Sequence, residues 1–303
     1  MFSYRHAYHA GNHADVLKHT ALIAIIQYMI QKEVGITVVD THAGAGIYRL
    51  DSDAAELSKE ADEGLRLLLK NAGEKKVELG ELLGEYVQEL ERFNPSGALK
   101  VYPGSPMIAQ DYLRRHDKLK IFELHPTDSR VLEKHVEQLR AGRQINCYKE
   151  DGFEGLKKLL PPPTRRGLVL IDPSYEMKSD YARVVNCIQD SLRRFVTGTY
   201  MVWYPVIARP EAHDLPKRLR ALAQEVHKPW LHTTLRVKSG QMGSQLGVLG
   251  TNKGPKRPGL TASGLFIINP PHTLEPQLKA CLPQMVELMG QDALAGFTLE
   301  ASK

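Results

Sequence analysis

Seven short segments with the composition of strands alternate with amphipathic stretches along most of the chain. The segments are four to seven residues long, and the unbroken aliphatic one at 168–171 is typical of a strand buried on both faces of a parallel sheet. Their predicted ranges are 36–40, 118–123, 145–148, 168–171, 200–203, 231–237 and 264–269. Helical periodicity fills the intervals, with predicted helices over 15–30, 107–115, 128–140 and 181–195. This alternation predicts a doubly wound α/β fold.

Residues 54–92 interrupt the alternation with leucines that recur every three or four positions. The stretch Asn71–Gly73 is predicted to separate two helices, so we expect a helical hairpin inserted after the first strand and its loop. The main domain would then comprise residues 1–53 and 93–303, with 54–92 as an inserted α-helical subdomain.

Charge is unevenly divided between the insertion and the rest of the chain. Residues 54–92 hold ten acidic and six basic residues, a net charge of −4, so the remainder carries +9 when the whole chain carries +5. A basic body is compatible with a polyanionic partner. A Gly-rich stretch with Lys253, Lys256 and Arg257 suits phosphate contacts, although a plain solvated loop explains it equally well.

Composition places the chain among soluble globular proteins, with 42% hydrophobic and 25% charged residues. No apolar run approaches the roughly 20 residues of a membrane span, and the first residues do not resemble a signal peptide. Cys147, Cys187 and Cys281 are too few and too far apart for a disulfide framework. We therefore expect a cytoplasmic protein with no membrane partner.

The sequence around residues 168–171 carries the clearest chemical signal. This aliphatic strand is followed at its carboxyl end by Asp172, Pro173, Ser174 and Tyr175, where open α/β sheets bind ligands. Asp172 could accept a hydrogen bond from an amine, and the fixed φ of Pro173 could aim its carbonyl as a second acceptor. Tyr175 could stack on a base. A simple Asp-Pro turn after a core strand remains the alternative.

Three further acids end or follow predicted strands, namely Asp40, Glu123 and Asp151. Together with Asp172 they are expected to lie along one edge of the sheet. An acid that closes the second strand is suited to accept hydrogen bonds from ribose hydroxyls.

A Gly-x-Gly loop, Thr41–Gly46, follows the first strand, as in nucleotide-binding folds. The third glycine of the dinucleotide fingerprint is missing, because Tyr48 and Arg49 stand there. This argues against a nicotinamide-dependent oxidoreductase and favours a smaller cofactor.

The first twenty residues are dense in polar aromatic side chains, namely Tyr4, His6, Tyr8, His9, His13 and His19. Their spacing matches no zinc motif and no cysteine is nearby, so we expect no metal. The segment could be an arm packed on the sheet, or a loop over a nucleotide site with Lys18 and His19 donating to a cofactor. Asp15 is predicted to open a helix running to about Ile30.

Two of these segments resemble known methyltransferase motifs. Residues 172–175 look like the Asp/Asn-Pro-Pro-Tyr/Phe motif of amino-group methyltransferases that use S-adenosylmethionine. Residues 3–19, together with Asp40–Gly46, resemble the RlmJ family, which methylates N6 of an adenine in 23S ribosomal RNA. The resemblance implies a Rossmann-like class I S-adenosylmethionine-dependent methyltransferase with a doubly wound seven-stranded sheet. It also implies 23S ribosomal RNA as the partner, and we expect protein-free or early-assembly RNA and a monomeric enzyme.

The resemblance also assigns roles to individual residues. The catalytic residues would be Asp172, Pro173 and Tyr175. The cofactor-binding residues would be Lys18, His19, His42, Gly44, Ser105, Glu123, Asp151, Gly152 and Asp172, and Tyr4 would contact the RNA. Arg5 and His6 are predicted to bind RNA together with Tyr4, because a short aromatic arm suits stacking on a base. Ser174 departs from the motif, which has a second proline at this position. An adenine-N6 DNA methyltransferase would share these motifs, and a non-catalytic RNA-binding protein on the same fold is the other alternative.

Overall fold

A computed structural model describes residues 5–239 and 259–302. Tyr4 and the basic stretch at 253–257 lie outside these residues. The strands are β1 Thr37–Asp40, β2 Ile47–Arg49, β3 Val101–Pro103, β4 Lys118–Phe122, β5 Ile145–Tyr148, β6 Gly167–Ile171, β7 Thr199–Pro205, β8 Trp230–Arg236, β9 Ala262–Ile268 and β10 Gly296–Ala301. The helices are α1 His13–Ile30, α2 Asp53–Ser58, α3 Glu60–Glu63, α4 Leu65–Lys75, α5 Glu81–Phe93, α6 Ser105–Tyr112, α7 Pro126–Leu139, α8 Gly152–Leu159, α9 Lys178–Arg194, α10 Pro210–Glu225 and α11 Leu274–Met289. Short 3-10 turns cover His6–Tyr8 and Gly142–Gln144.

The main sheet has the strand order β10-β8-β9-β7-β6-β1-β4-β5 in the described part of the chain. The five neighbouring strands β5, β4, β1, β6 and β7 run parallel to one another. Strand β9 lies between β7 and β8 and is antiparallel to both. The doubly wound Rossmann-like prediction is confirmed, and each of the seven predicted strands is present. The sheet has an eighth strand, β10, at its edge. It escaped prediction because it is half exposed and polar, unlike the buried runs.

Helices cover both faces of the sheet, which gives three layers. Helices α1, α6 and α11 bury a core against one face, and α8, α9 and α10 bury a second core against the other. Helix α1 is buried on nearly every side, which explains its run of apolar residues without a polar stripe. Its N-cap is Asn12, whose side chain accepts from the Asp15 backbone amide at 2.9 Å, so Asp15 is not the cap. Within the described ranges, no helix combines the length and apolarity that crossing a membrane requires.

Helices α2 to α5 lie between the paired strands β2 and β3 along the chain. The prediction that Asn71–Gly73 ends a helix is wrong, because α4 continues through it and is closed by Lys76 at φ +52°. Gly73 is exposed and costs the helix about 1 kcal/mol relative to alanine, which the packing of α4 against α11 outweighs. The apolar sides of α4 and α5 belong to the same core as α1. The assignment of 54–92 as an inserted subdomain stays a prediction.

Candidate active site

Strand register places the predicted acids at one end of the sheet. Asp40 at the end of β1 lies beside Ile121 of β4 and Leu170 of β6. Glu123 and Asp172 therefore each lie two residues beyond a neighbour of Asp40. From β1 the sheet extends one way through β4 and β5 and the other way through β6 and β7, so this is the switch point at which doubly wound sheets bind ligands.

A cavity of about 340 Å³ opens at this end of the sheet. Its volume lies within the ordinary range for small-molecule sites. It brings together every residue predicted to bind the cofactor: Lys18, His19, His42, Gly44, Ser105, Glu123, Asp151, Gly152 and Asp172. His6, Pro173 and Ser174 also line it. Among the described residues, no group of three or more His, Cys, Asp or Glu side chains is placed to hold a metal ion.

Lys18 is the buried centre of a charged network. Its Nζ lies 2.5 Å from Asp172 Oδ2 and 3.0 Å from Asp15 Oδ1. Burial disfavours the charged amine, but Asp15 and Asp172 outweigh this effect and raise the pKa of Lys18. Asp15 also accepts hydrogen bonds from His6 Nε2 at 3.0 Å and from the Gly11 amide at 2.9 Å. Asp172 is thereby connected to the N-terminal segment.

Asp15 itself was predicted only as a helix start. Burial alone would raise the pKa of its carboxyl, whereas His6 and Lys18 hold that pKa well below its usual range. The carboxylate therefore stays ionised and anchors both the N-terminal segment and Lys18. The sequence spacing does not predict this anchoring role of Asp15, because His6, Gly11 and Lys18 come together around Asp15 only when the N-terminal segment folds onto the start of α1.

Glu123 is held by two backbone amides. Its Oε2 accepts from Gly44 N at 2.8 Å and its Oε1 from His125 N at 2.6 Å. Burial raises the pKa of this carboxyl to about 6. Gly44 has φ +62°, and a Cβ on it would lie 2.1 Å from the Tyr48 hydroxyl, so only glycine fits this turn.

Asp40 lies behind the cavity and supports its wall. Its Oδ2 accepts from Ser105 Oγ at 2.6 Å and its Oδ1 from His42 N at 3.1 Å. Burial raises the pKa of Asp40 to about 6. Asp40 therefore fixes the positions of Ser105 and the His42 backbone instead of lining the cavity.

Asp151 starts α8 and closes one side of the cavity. Its Oδ1 accepts from Phe153 N at 2.9 Å, and its Oδ2 lies 2.5 Å from Arg183 Nη2. The Arg183 guanidinium also covers the Phe153 ring at 4.5 Å. A Cβ on Gly152 would lie 2.0 Å from the Thr41 carbonyl oxygen, so α8 can approach this loop only with glycine. Phe153 and Arg183 were not singled out from the sequence. Arg183 comes from α9, far along the chain, so no local spacing connects it with Asp151.

Tyr175 does not line the cavity, and the prediction that its ring stacks on a base is wrong in this structure. Its side chain is fully buried, packs 4.6 Å from the Tyr181 ring, and donates from its hydroxyl to the Trp203 carbonyl at 2.7 Å. The left-handed backbone at Tyr175, φ +53°, turns the side chain inward beneath the loop. Met177, which is 64% exposed, lies at the cavity instead.

Arg5 and His6, the two described residues of the predicted RNA-binding arm, have different surroundings. Arg5 is exposed, whereas His6 lines the cavity and packs edge-on against Tyr48 with ring centroids 5.0 Å apart. The assignment of Tyr4, Arg5 and His6 to RNA binding stays a prediction.

Comparison with known proteins gives one consistent family. The model of the family described as Ribosomal RNA large subunit methyltransferase D, RlmJ, matches residues 33–300. The chain is 38% identical to Ribosomal RNA large subunit methyltransferase J of Haemophilus influenzae, over 99% of this chain and 98% of that protein. It is 41% identical to the protein of the same name from Escherichia coli, over 93% of this chain and 92% of that protein.

A solved structure is similar to this chain over nearly its whole length. The crystal structure of a Legionella pneumophila protein matches with a TM-score of 0.79 and 31% identity, over 97% of this chain and 98% of that one. The fold, the cavity at the carboxyl ends of the strands and the near-complete coverage of these relatives agree with one another. The chain belongs to the RlmJ family of ribosomal RNA large-subunit methyltransferases.

Proposed function

We propose that this protein transfers a methyl group from S-adenosylmethionine to N6 of an adenine in 23S ribosomal RNA. The observation that carries the proposal is the position of Asp172 and Pro173, which border the same cavity as Glu123 and Asp151. A hydrogen-bond acceptor for an amine thus lies beside a set of groups suited to a nucleoside. We infer that the protein works in the cytoplasm, as a monomer, on RNA that is protein-free or early in assembly.

The residues of the cavity fit this cofactor. Glu123 would accept from the ribose hydroxyls, and Asp151 with Gly152 would contact the adenine. Lys18, His19 and His42 would hold the methionine end. His19 supports this assignment, because its Nε2 is buried and has no hydrogen-bond partner among the described residues.

For methyl transfer to N6, the main contributions of the protein would be positioning and hydrogen bonding. An aromatic amine is a weak nucleophile, because its lone pair is delocalised into the ring. Asp172 and the Pro173 carbonyl would accept hydrogen bonds from N6 and orient the nitrogen, and such positioning supplies much of the rate enhancement. When bound, S-adenosylmethionine would supply an electrophilic methyl group and leave as the neutral thioether, and N6 would give up one proton, which the Asp172 carboxylate is placed to accept. Lys18 holds the Asp172 carboxylate in place.

The target adenine has to leave its stack to reach this cavity. Tyr175 is buried under the loop, so the exposed Met177 at the cavity is an apolar side chain available to contact the extruded base. The basic surplus outside residues 54–92 would contact phosphates.

We expect protein-free 23S RNA, or a hairpin cut from it, to be methylated far faster than duplex DNA. Transfer of labelled methyl groups to matched RNA and DNA substrates measures the preference. Equal rates on both substrates would favour the DNA methyltransferase alternative, and binding without transfer would favour the non-catalytic one.

Tyr4→Ala should lower the rate of RNA methylation and leave cofactor affinity nearly unchanged, because the tip of the arm is assigned to RNA. RNA binding should also weaken steeply with salt, because phosphate contacts release counterions.

Cofactor affinity should fall as the pH drops below about 6. The free-protein pKa of Glu123 is raised to about 6, so below that pH the carboxyl is protonated and loses acceptor capacity for the ribose hydroxyls. Calorimetry with S-adenosylhomocysteine between pH 5 and 8 should show the loss in wild type, and a weaker affinity with a much smaller pH dependence in Glu123→Gln, where Asp40 still titrates. Asp40→Asn is the comparison that should keep the loss but shift its midpoint to lower pH, because the charge of Asp40 contributes to the raised pKa of Glu123. A flat wild-type profile would contradict the assignment of Glu123.

Ser174→Pro should retain activity and stabilise the protein by about 0.5–1 kcal/mol. Among described residues the Ser174 hydroxyl has no hydrogen-bond partner, and the accepting carbonyl belongs to Pro173. The positive φ of Tyr175 is compatible with a preceding proline, as in type II turns. Thermal unfolding and turnover measure the two effects. A large loss of turnover would reveal a role for the hydroxyl.

A further inference from the structure

A chain of three buried side chains leads from the helical segment 54–92 to the cavity. His19 Nδ1 lies 2.7 Å from the Tyr102 hydroxyl, which lies 3.1 Å from the Tyr86 hydroxyl. Tyr86 comes from α5, Tyr102 from β3 and His19 from α1. All three are fully buried, and only His19 lines the cavity.

The direction of the hydrogen bonds follows from counting protons. Each phenol has one proton. If Tyr86 donates to Tyr102 and Tyr102 donates to His19 Nδ1, both phenol protons are used. In the opposite direction, the Tyr86 proton would have no acceptor in the described part of the chain, which leaves a buried donor unsatisfied. The first direction is therefore favoured, and it makes His19 Nδ1 an acceptor.

The remaining ring nitrogen then has a fixed role. Burial, with the charge of Lys18, lowers the pKa of His19 to about 3, so the ring is neutral. A neutral imidazole with Nδ1 as acceptor carries its proton on Nε2. That Nε2 is buried without a partner among the described residues. It is a donor that a ligand in the cavity can satisfy.

We propose that Tyr102 and Tyr86 are positioning residues that fix His19 as its Nε2–H tautomer, so that it donates a hydrogen bond to an anionic oxygen of the ligand. This rests on the proposed function, in which the ligand's anionic oxygens are the carboxylate of the methionine end. A residue of the segment 54–92 thereby shapes the cofactor site without touching the cofactor.

The tautomer can be measured directly by NMR of protein with ¹⁵N-labelled histidine. We expect His19 in wild type to show a protonated Nε2 and an unprotonated Nδ1. Tyr102→Phe removes the donor to Nδ1 and should shift the ring toward a mixture of tautomers. In Tyr86→Phe, Tyr102 can still donate, so the change should be smaller. An Nδ1–H ring in wild type, or an unchanged ring in Tyr102→Phe, would overturn the proposal.

His42 provides an internal control in the same spectra. Its Nδ1 lies 2.8 Å from Thr41 Oγ1, and that hydroxyl donates to the Leu170 carbonyl at 3.0 Å. The Thr41 proton is therefore already used, so His42 Nδ1 must be the donor, and this ring has the opposite tautomer. Its signals should not change in either tyrosine variant. A matching change in His42 would indicate general distortion of the site and would count against a specific relay.

Ligand binding tests the second half of the proposal. S-adenosylhomocysteine carries the carboxylate, and 5′-methylthioadenosine lacks it. Tyr102→Phe should weaken S-adenosylhomocysteine by the inverse of the Nε2–H fraction that the variant retains, about twofold for an even mixture of tautomers, and should leave 5′-methylthioadenosine unchanged. Equal weakening of both ligands would overturn the carboxylate assignment. If wild-type protein binds neither ligand, both the proposed function and the carboxylate assignment fail. The NMR experiment tests separately whether Tyr102 and Tyr86 fix the tautomer of His19.

Discussion

Asp172→Asn is expected to lower the rate of methyl transfer by at least about 100-fold, the loss seen when a group that acts in the transition state is removed. The substitution keeps the shape of the side chain but replaces one acceptor oxygen by an amide donor, which cannot accept from N6 of the base. The fold should persist, because Asp172 follows the end of β6 and is outside the apolar core.

Single-turnover kinetics with labelled S-adenosylmethionine measure this effect, and calorimetry with S-adenosylhomocysteine shows whether the cofactor still binds. Glu150→Gln is a matched control, because Glu150 is an acid near the same sheet edge that lies outside the cavity and pairs with Lys158. It should transfer methyl groups at the wild-type rate. Wild-type turnover in Asp172→Asn would rule out the proposed role of this carboxylate.

Lys18→Met is expected to lower the free energy of unfolding by about 3–5 kcal/mol, the range for removing one partner of a buried ion pair. The Lys18 side chain is 5% exposed and neutralises Asp15 and Asp172, whose side chains are 2% and 14% exposed. Without the amine, the two carboxylates would remain desolvated and without this cation. Catalysis should fall as well, because Asp172 loses the group that holds it.

Urea unfolding of wild type and variant gives the loss. The double variant Lys18→Met/Asp15→Asn is the informative comparison, because it also removes the charge of the more deeply buried of the two carboxylates. It should recover only part of the stability, because an amide is a weaker acceptor than a carboxylate for His6 and for the Gly11 backbone. A loss below about 1 kcal/mol in the single variant, as for exposed ion pairs, would contradict the buried network.

The sequence was sufficient for the parallel sheet, because its central strands β1 and β6 are buried along their whole length and each strand is bounded by turn residues. It was insufficient where exposure weakens that signal. Strand β10 pairs only along the edge of the sheet, and α4 runs through Asn71–Gly73, where the Asn71 side chain donates to the Leu288 carbonyl of α11 at 2.7 Å. Tertiary contacts of α4 with α11 outweigh the local preference.

The residues that line the cavity from the strand ends were predictable from the sequence, whereas those whose position depends on a turn or a distant helix were not. Strand ends align at one edge of a parallel sheet, so acids that end strands meet there, and Glu123, Asp151 and Asp172 do line one cavity. The direction of a side chain in a turn cannot be deduced in this way. Tyr175 points inward because of its positive φ, and Arg183 reaches Asp151 from a helix that the local sequence does not connect to it.

The central claim is the identity of the methylated atom. Protein-free 23S RNA would be incubated with the protein and labelled S-adenosylmethionine, digested to nucleosides and analysed by mass spectrometry, with Asp172→Asn in parallel. The predicted result is label in N6-methyladenosine alone, nearly absent with the variant. Label in a different nucleoside, or equal label with the variant, would contradict the proposed reaction at this cavity.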